Sequence, residues 1–194
     1  MNIGETLYVK NRKDWRAWLA KNHRLAAEIW LIYYKKHSGK PRIPYNDAVE
    51  EALCYGWIDS TLKPIDDACY AQRFSPRRKN SKLSEMNKER VRRLTKTKKM
   101  TRFGLESIQH HIEKNPKKSK SSGRLIKFSL PQDILETLKV DPTAWKYFMK
   151  FPMSYKRIRI GWIDSARHRP EIFNQRLKYF LKMTLKNKRF GMVQ

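Results

Sequence analysis

The stretch "YAQRFSPRRKNSKLSEMNKER" holds the residues of this chain best suited to chemistry. Arg73, Arg77, Arg78 and Lys79 crowd a loop to which Ser75, Ser81 and Ser84 add hydroxyls. A guanidinium offers paired N–H donors to phosphate or carboxylate, and the free amides at a helix start attract the same groups. Ser84 is a good N-cap for a helix opening at Glu85, which places Asn87 and Arg90 one to two turns into that helix. The expected chemistry is anion binding. The competing reading is that Ser84 only caps the helix and that the arginines pair with Asp59, Asp66 and Asp67 across the preceding hairpin. Those acids, with Lys63, raise a second chemistry, because clustered carboxylates hold Mg²⁺ beside a phosphate. Their spacing matches no established motif, and turn formation is the ordinary use of such residues.

Other chemistries find less support. His110 and His111 are adjacent on an expected helix and should point to different faces, so they cannot share a metal as an i, i+4 pair would. Cys54 and Cys69 fit no zinc spacing and no disulfide framework. There is no P-loop, dinucleotide fingerprint or nucleophile elbow. No cofactor or metal is implied. Trp15, Trp18, Trp30, Trp145 and Trp162 read as core rather than as base-stacking platforms, since none lies in the most basic segment.

The charge supports an anionic partner. Of the net +26, residues 1–72 carry +2, residues 73–128 carry +15 and residues 129–194 carry +9. Such asymmetry fits a phosphorylated small molecule, an anionic surface or, through bulk charge, a nucleic acid. A lysine-rich solvated surface is the bland alternative. The N-terminal stretch lacks an apolar signal region, and Ile29–Tyr34 is far too short to span a bilayer. A soluble, cytoplasmic protein is expected, and the oligomeric state is not legible.

The elements that must position these residues follow from spacing and punctuation. "LYVK" reads as a short strand. Asn11 caps a helix with Trp15, Trp18 and Leu19 on one face. "EIWLIYYKKH" reads as a strand and "YNDAVEEALCYG" as a helix ending at Gly56, a natural C′ residue. "GWIDS" then occurs twice, at Gly56–Ser60 and Gly161–Ser165. The first copy begins where a helix stops and leads into a hairpin turning near Pro64–Asp67. Tyr70, Gln72 and Phe74 share one face of its second strand, with Cys69, Ala71 and Arg73 on the other. The second copy sits mid-helix, so the identity is read as chance. There, Gly161→Ala should be neutral or stabilising unless close packing excludes a methyl group. "MTRFGLESIQHHIEK" reads as one helix with Leu105, Ile108 and Ile112 on its buried stripe. Asn115–Gly123 has a linker composition. Pro131, Asp141-Pro142, Pro152 and Pro170 then mark four helix starts.

The fold class is α+β, a small mostly antiparallel sheet with flanking helices followed by an all-helical C-terminal bundle. The expected organisation is an α+β domain at 1–114, a basic linker at 115–128 and a helical domain at 129–194.

Several stretches also carry a family resemblance. "EIWLIYYKKHSGKP", "AVEEALCYGWIDS", "IDDACYAQRFSPRRKNS", "SEMNKERVRRL", "MTRFGL" and the segment from "LPQDILETLKV" to "GWIDSARHRPE" resemble the YdeI/OmpD-associated, or bacteriocin-protection, proteins. The resemblance implies a role in envelope stress or antimicrobial-peptide resistance and supplies no assigned reaction or cofactor. It also implies that the first "GWIDS" and the "RFSPRRK" loop form one site. The expected ligand-binding residues are Trp57, Asp59, Tyr70, Arg73, Arg77, Arg78, Lys79, Ser81, Ser84, Asn87 and Arg90. The leading reading is a non-enzymatic binder of an anionic, phosphate-bearing ligand. A small hydrolase or transferase acting through Asp59 on a phosphorylated substrate, and a charge-driven nucleic-acid binder, are the alternatives.

Overall fold

The computed structural model describes residues 2–79, 81–111 and 129–191. The expected linker at 115–128 and the expected stripe residue Ile112 lie outside them. The chain divides into two compact units, Met1–Lys82 with Arg90–Leu125 and Leu83–Glu89 with Ile126–Gln194. The α+β expectation holds.

The first unit is built on a four-stranded sheet in the order β1-β2-β4-β3. Strand β1 (Thr6–Leu7) pairs parallel to β2 (Ile29–Tyr34), and the β3 (Trp57–Pro64) and β4 (Cys69–Pro76) hairpin completes the sheet antiparallel to it. Register puts Tyr33 opposite Tyr70 and Ile29 opposite Phe74, while Asp59 also faces Phe74. The face of Tyr70, Gln72 and Phe74 is therefore continuous from β2 to β3, as alternation demands. Helix α1 (Arg12–Asn22) packs on that face. Its Trp15 ring lies edge-on to Phe74 at 5.4 Å, and Trp18 meets Trp57 at 5.7 Å. Asn11 caps α1 as expected, its Oδ1 accepting from the Asp14 amide at 3.0 Å. The Trp15 indole N–H reaches Ala48 O at 3.0 Å and so ties α1 to α2 (Tyr45–Cys54).

Helix α2 is buried on nearly every side from Ala48 to Cys54, and that run includes Glu50 and Glu51. Both side chains are almost fully enclosed, yet neither is alone. Arg12 bridges Glu51, Glu50 at 3.0 Å and Asp47 at 3.2 Å. Arg16 reaches Glu51 at 2.5 Å, and Arg93 pairs with Glu50. Burial alone would lower the Arg12 and Arg16 guanidiniums, but hydrogen bonds and charge from Glu51, with Glu50 also acting on Arg12, raise both. A buried carboxylate is tolerated only with this kind of pairing.

Gly56 stops α2 at φ +77, as its place in the sequence requires, and Trp57 starts β3. One expectation fails nearby. "MTRFGLESIQHHIEK" is not one helix: α4 (Arg102–Ser107) stops with Ile108 as its C-cap, and Gln109–His111 form a 3-10 turn. Thr101 is the expected cap, accepting from the Gly104 amide.

The second unit has the four helices that the prolines announced, α5 (Gln132–Lys139), α6 (Pro142–Lys150), α7 (Met153–Asp164) and α8 (Pro170–Leu185). Asp141 Oδ1 accepts from the Thr143 and Ala144 amides at 2.8 and 3.0 Å, capping α6. The core gathers Ile134, Leu138, Phe148, Tyr155, Ile160, Ile163 and Phe180, with Phe173 and Leu177 of α8 packed at its margin. The first turns of α3 (Glu85–Lys96) belong to this unit, and Arg157 holds Glu89 there with two hydrogen bonds.

The second "GWIDS" is mid-helix, as expected, but Gly161 is not free to change. A Cβ there would lie 2.3 Å from Glu85 Cγ and 2.8 Å from Glu85 Cβ. The gain in helix propensity is outweighed by the clash.

Gly56→Ala and Gly161→Ala should each destabilise by about 1–3 kcal/mol, the first through positive φ and the second through overpacking. Denaturant titration decides it, and a Gly161→Ala chain as stable as the parent would contradict the Glu85 contact. Arg12→Met should cost about 3–5 kcal/mol because it strips the central cation from two buried carboxylates. A loss within about 0.5 kcal/mol, the range of an ordinary surface change, would mean that Arg16 and Arg93 suffice alone.

Candidate functional site

Arg77 follows the last residue of β4. Its amide donates to Gly56 O at 2.8 Å, which joins the basic loop to the helix stop of the first "GWIDS". Its side chain turns inward and is only 8% exposed. Nη1 donates to Ser81 Oγ at 2.8 Å and to Lys82 O at 3.0 Å. Nε and Nη2 are enclosed without any hydrogen-bond partner, and no carboxylate of the described residues forms an ion pair with this guanidinium. Burial lowers its pKa, opposed only by the charge of Asp59.

Asp59 is the hub of the surrounding cluster. It sits beside a break in register between Asp59 and Leu62, and its Oδ2 accepts from the Tyr45 hydroxyl at 2.7 Å. Its charge acts on Tyr33, Arg77 and Arg90. Tyr33 is buried with an unpartnered hydroxyl, and its ring stacks on Tyr70 at 5.3 Å. Burial raises both the Tyr33 and Tyr45 phenols, with Tyr70 next in effect on the first and Asp59 on the second. Arg42 donates to the Tyr70 hydroxyl at 3.1 Å and lies 6.0 Å from the centre of each stacked ring. Arg90 donates to Asn46 Oδ1 at 2.7 Å, and burial lowers its guanidinium. Half-buried Arg90 and buried Arg77 thus both feel the Asp59 charge, while exposed Arg42 engages the stacked tyrosines beside them.

The structure sorts the expected residues. Asp59, Tyr70, Arg77, Ser81 and Arg90 lie in or beside the cluster. Arg78 and Lys79 are exposed on the loop. Trp57 is core: it is 1% exposed and its indole N–H is satisfied by His23 O at 3.0 Å. Arg73 lies on the opposite sheet face, where Nε and Nη2 engage Glu28 Oε2 at 2.7 and 2.6 Å. That bond holds the Glu28 carboxyl below its ordinary range. Ser84 and Asn87 fall in the second unit, where Ser84 Oγ accepts the Asn87 amide at 3.3 Å.

Asp66 is a turn former, its Oδ1 accepting the Ala68 and Cys69 amides at 2.7 Å each. Among the described residues no three His, Cys, Asp or Glu side chains are placed to hold a metal. The histidines correct their expectation. Their rings lie 4.1 Å apart, and each has Nε2 3.2 Å from Ser81 O, because the 3-10 turn brings neighbours together. Burial pushes the Cys54 thiol up to about 11, with the Glu51 charge adding to it, so this thiol is a poor nucleophile.

Tyr33, Tyr45, Arg42 and Asn46 were not among the expected residues. The usable signal was alternation in "IWLIYY", which puts Tyr33 on the same inward face as Ile29 and Leu31.

Among the described residues no helix is long and apolar enough to cross a membrane. No curated protein and no solved structure matches the chain. Two families do. Residues 127–187 match the family described as "Bacteriocin-protection, YdeI or OmpD-Associated". Residues 7–107, which hold the basic loop and most of the stretches quoted for the resemblance, match a domain of unknown function (DUF8412). The chain belongs to the proteins that carry this N-terminal domain, and its residues 127–187 are similar to the YdeI/OmpD-associated family.

Proposed function

We propose that the Asp59–Arg77 cluster binds one small phosphate-bearing or otherwise anionic ligand, and that this binding is the protein's activity. One observation carries the reading: Arg77 is a buried cation with an unpaired hydrogen-bonding edge. Nε and Nη2 form one side of the guanidinium fork, the side that meets two oxygens of a phosphate or carboxylate. Arg73 uses the same side to hold Glu28. A buried charge left in this state is costly, and an anion would relieve the cost. Arg42 and the loop residues Arg78 and Lys79 would draw the anion in, and Tyr33 offers a free hydroxyl. Because the Arg77 edge is enclosed, the loop must give way for the ligand to enter.

The protein would act in the cytoplasm, where its two buried free thiols would stay reduced. The family name attached to residues 127–187 supports a protective role against bacteriocins, exerted through the bound ligand.

The test is calorimetry and thermal denaturation with inorganic phosphate at constant ionic strength. Phosphate at about 100 times its Kd should stabilise the parent by about 2.7 kcal/mol. Arg77→Met should remove that stabilisation while keeping or raising the ligand-free melting temperature, because a buried unpaired charge is replaced by an apolar chain of similar size. Arg78→Ala with Lys79→Ala should weaken binding only modestly. Phosphate stabilisation that survives Arg77→Met would overturn the proposal. So would affinity that falls steeply with salt, which belongs to a polyanion.

A further inference from the structure

The second unit contains a cavity of about 290 Å³ lined by Glu85, Met86, Ile158, Arg159, Gly161 and Trp162, together with two serines. It carries an unmet cation of its own. Arg159 is 7% exposed and makes no hydrogen bond or ion pair among the described residues. Its guanidinium lies over Phe190 at 4.8 Å, Trp162 at 5.8 Å and Tyr155 at 5.9 Å. Such ring contacts satisfy the face of a guanidinium and leave its N–H edges unsatisfied. Nε is fully enclosed. The cavity wall also carries an unmet acceptor. Glu85 Oε1 takes Lys88 Nζ at 2.5 Å, but Oε2 is buried without a partner. Glu85 reaches this place only because Gly161 has no side chain, so the second "GWIDS" forms a notch in the cavity wall.

Arg159 and Glu85 are not paired with each other. A simple anion would satisfy the first and be repelled by the second, and an amine would do the reverse. A zwitterion answers both. The volume is at the small end of the range for small-molecule sites, roughly 300–1,000 Å³, which suits one residue-sized molecule rather than a peptide. Met86, Ile158 and Trp162 would face an apolar side chain.

We propose that this cavity binds a free apolar α-amino acid, its carboxylate on Arg159, its ammonium on Glu85 and its side chain against Met86, Ile158 and Trp162.

The experiment is calorimetry on the full chain at neutral pH with leucine, methionine and phenylalanine. The controls are 4-methylpentanoate and 3-methylbutylamine, which are leucine without its ammonium and without its carboxylate. At least one amino acid should bind, and for leucine each control should be weaker by about ten-fold or more, the loss of one charge-assisted contact. Glu85→Gln, close to isosteric, should weaken amino-acid binding by about ten-fold or more. Arg159→Met should abolish it, and Arg77→Met should leave it unchanged. Three results would overturn the proposal: no binding of any of the three amino acids, 4-methylpentanoate binding as tightly as leucine, or full affinity in Glu85→Gln. If Arg159→Met fails to fold, the Glu85→Gln result decides alone.

Discussion

Glu50 and Glu51 lie buried side by side on one turn of α2, and Arg12, Arg16 and Arg93 must close around them. That requirement fixes how α1 and the C-terminal half of α3 lie against α2, and α1 in turn covers the sheet. The pairing is not a surplus of stability. It offsets the cost of enclosing two carboxylates, and its strength lies in what happens when one partner is removed. It also engages acids in a chain that has only 18 of them for 44 lysines and arginines. Carboxylates are the scarce component, and where they are placed decides which cations stay unanswered.

Among the described residues of the first unit, Arg77 is a buried cation left without a carboxylate partner. Arg73 takes Glu28 on one face of the sheet, and Asp59 on the other is engaged by Tyr45. What remains for Arg77 is a serine hydroxyl, a backbone carbonyl and a distant charge. The main-chain bond from Arg77 to Gly56 O fixes where the guanidinium enters. The positive φ of Gly56 ends α2 and lets Trp57 begin β3, so one glycine sets both the strand that carries Asp59 and the carbonyl that anchors Arg77. The link from sequence to site is therefore short at this point, even though the partners are far apart in the chain.

Much of the framework was legible. Prolines and Asp141 marked the C-terminal helices because they act within a single turn, and alternation assigned the faces of β4 for the same local reason. What escaped the sequence was long-range. The adjacent acids of α2 carried no local sign of burial, since nothing in the neighbouring sequence distinguishes a buried glutamate whose arginine lies 35 or more residues away. Arg73 and Arg77 looked equivalent in "RFSPRR", yet one lies within the strand, on the face away from Tyr70 and Phe74, and the other beyond the strand end. Trp57, buried as its place beside the Tyr70–Phe74 strand suggests, is core, although the shared signature stretch had also put it with Asp59 among the expected ligand-binding residues. Gly161 read as a weak helix position, because only its distance to Glu85 reveals why a larger residue is excluded. In the site itself, the arginine loop was visible and the tyrosines around it were not, since strand pairing, not spacing, stacks Tyr33 on Tyr70.

Within the first unit, Arg77 is the arginine that we propose takes an anion. The most direct measurement follows the arginine Nε–H resonances by heteronuclear NMR while inorganic phosphate is added at constant ionic strength. A saturable shift of Arg77, with Arg12, Arg16 and Arg73 unmoved because their carboxylates already hold them, is the result this account predicts. An unmoved Arg77, with exposed Arg78 and Arg102 drifting together without saturation, would contradict it and reduce the basic loop to a solvated surface.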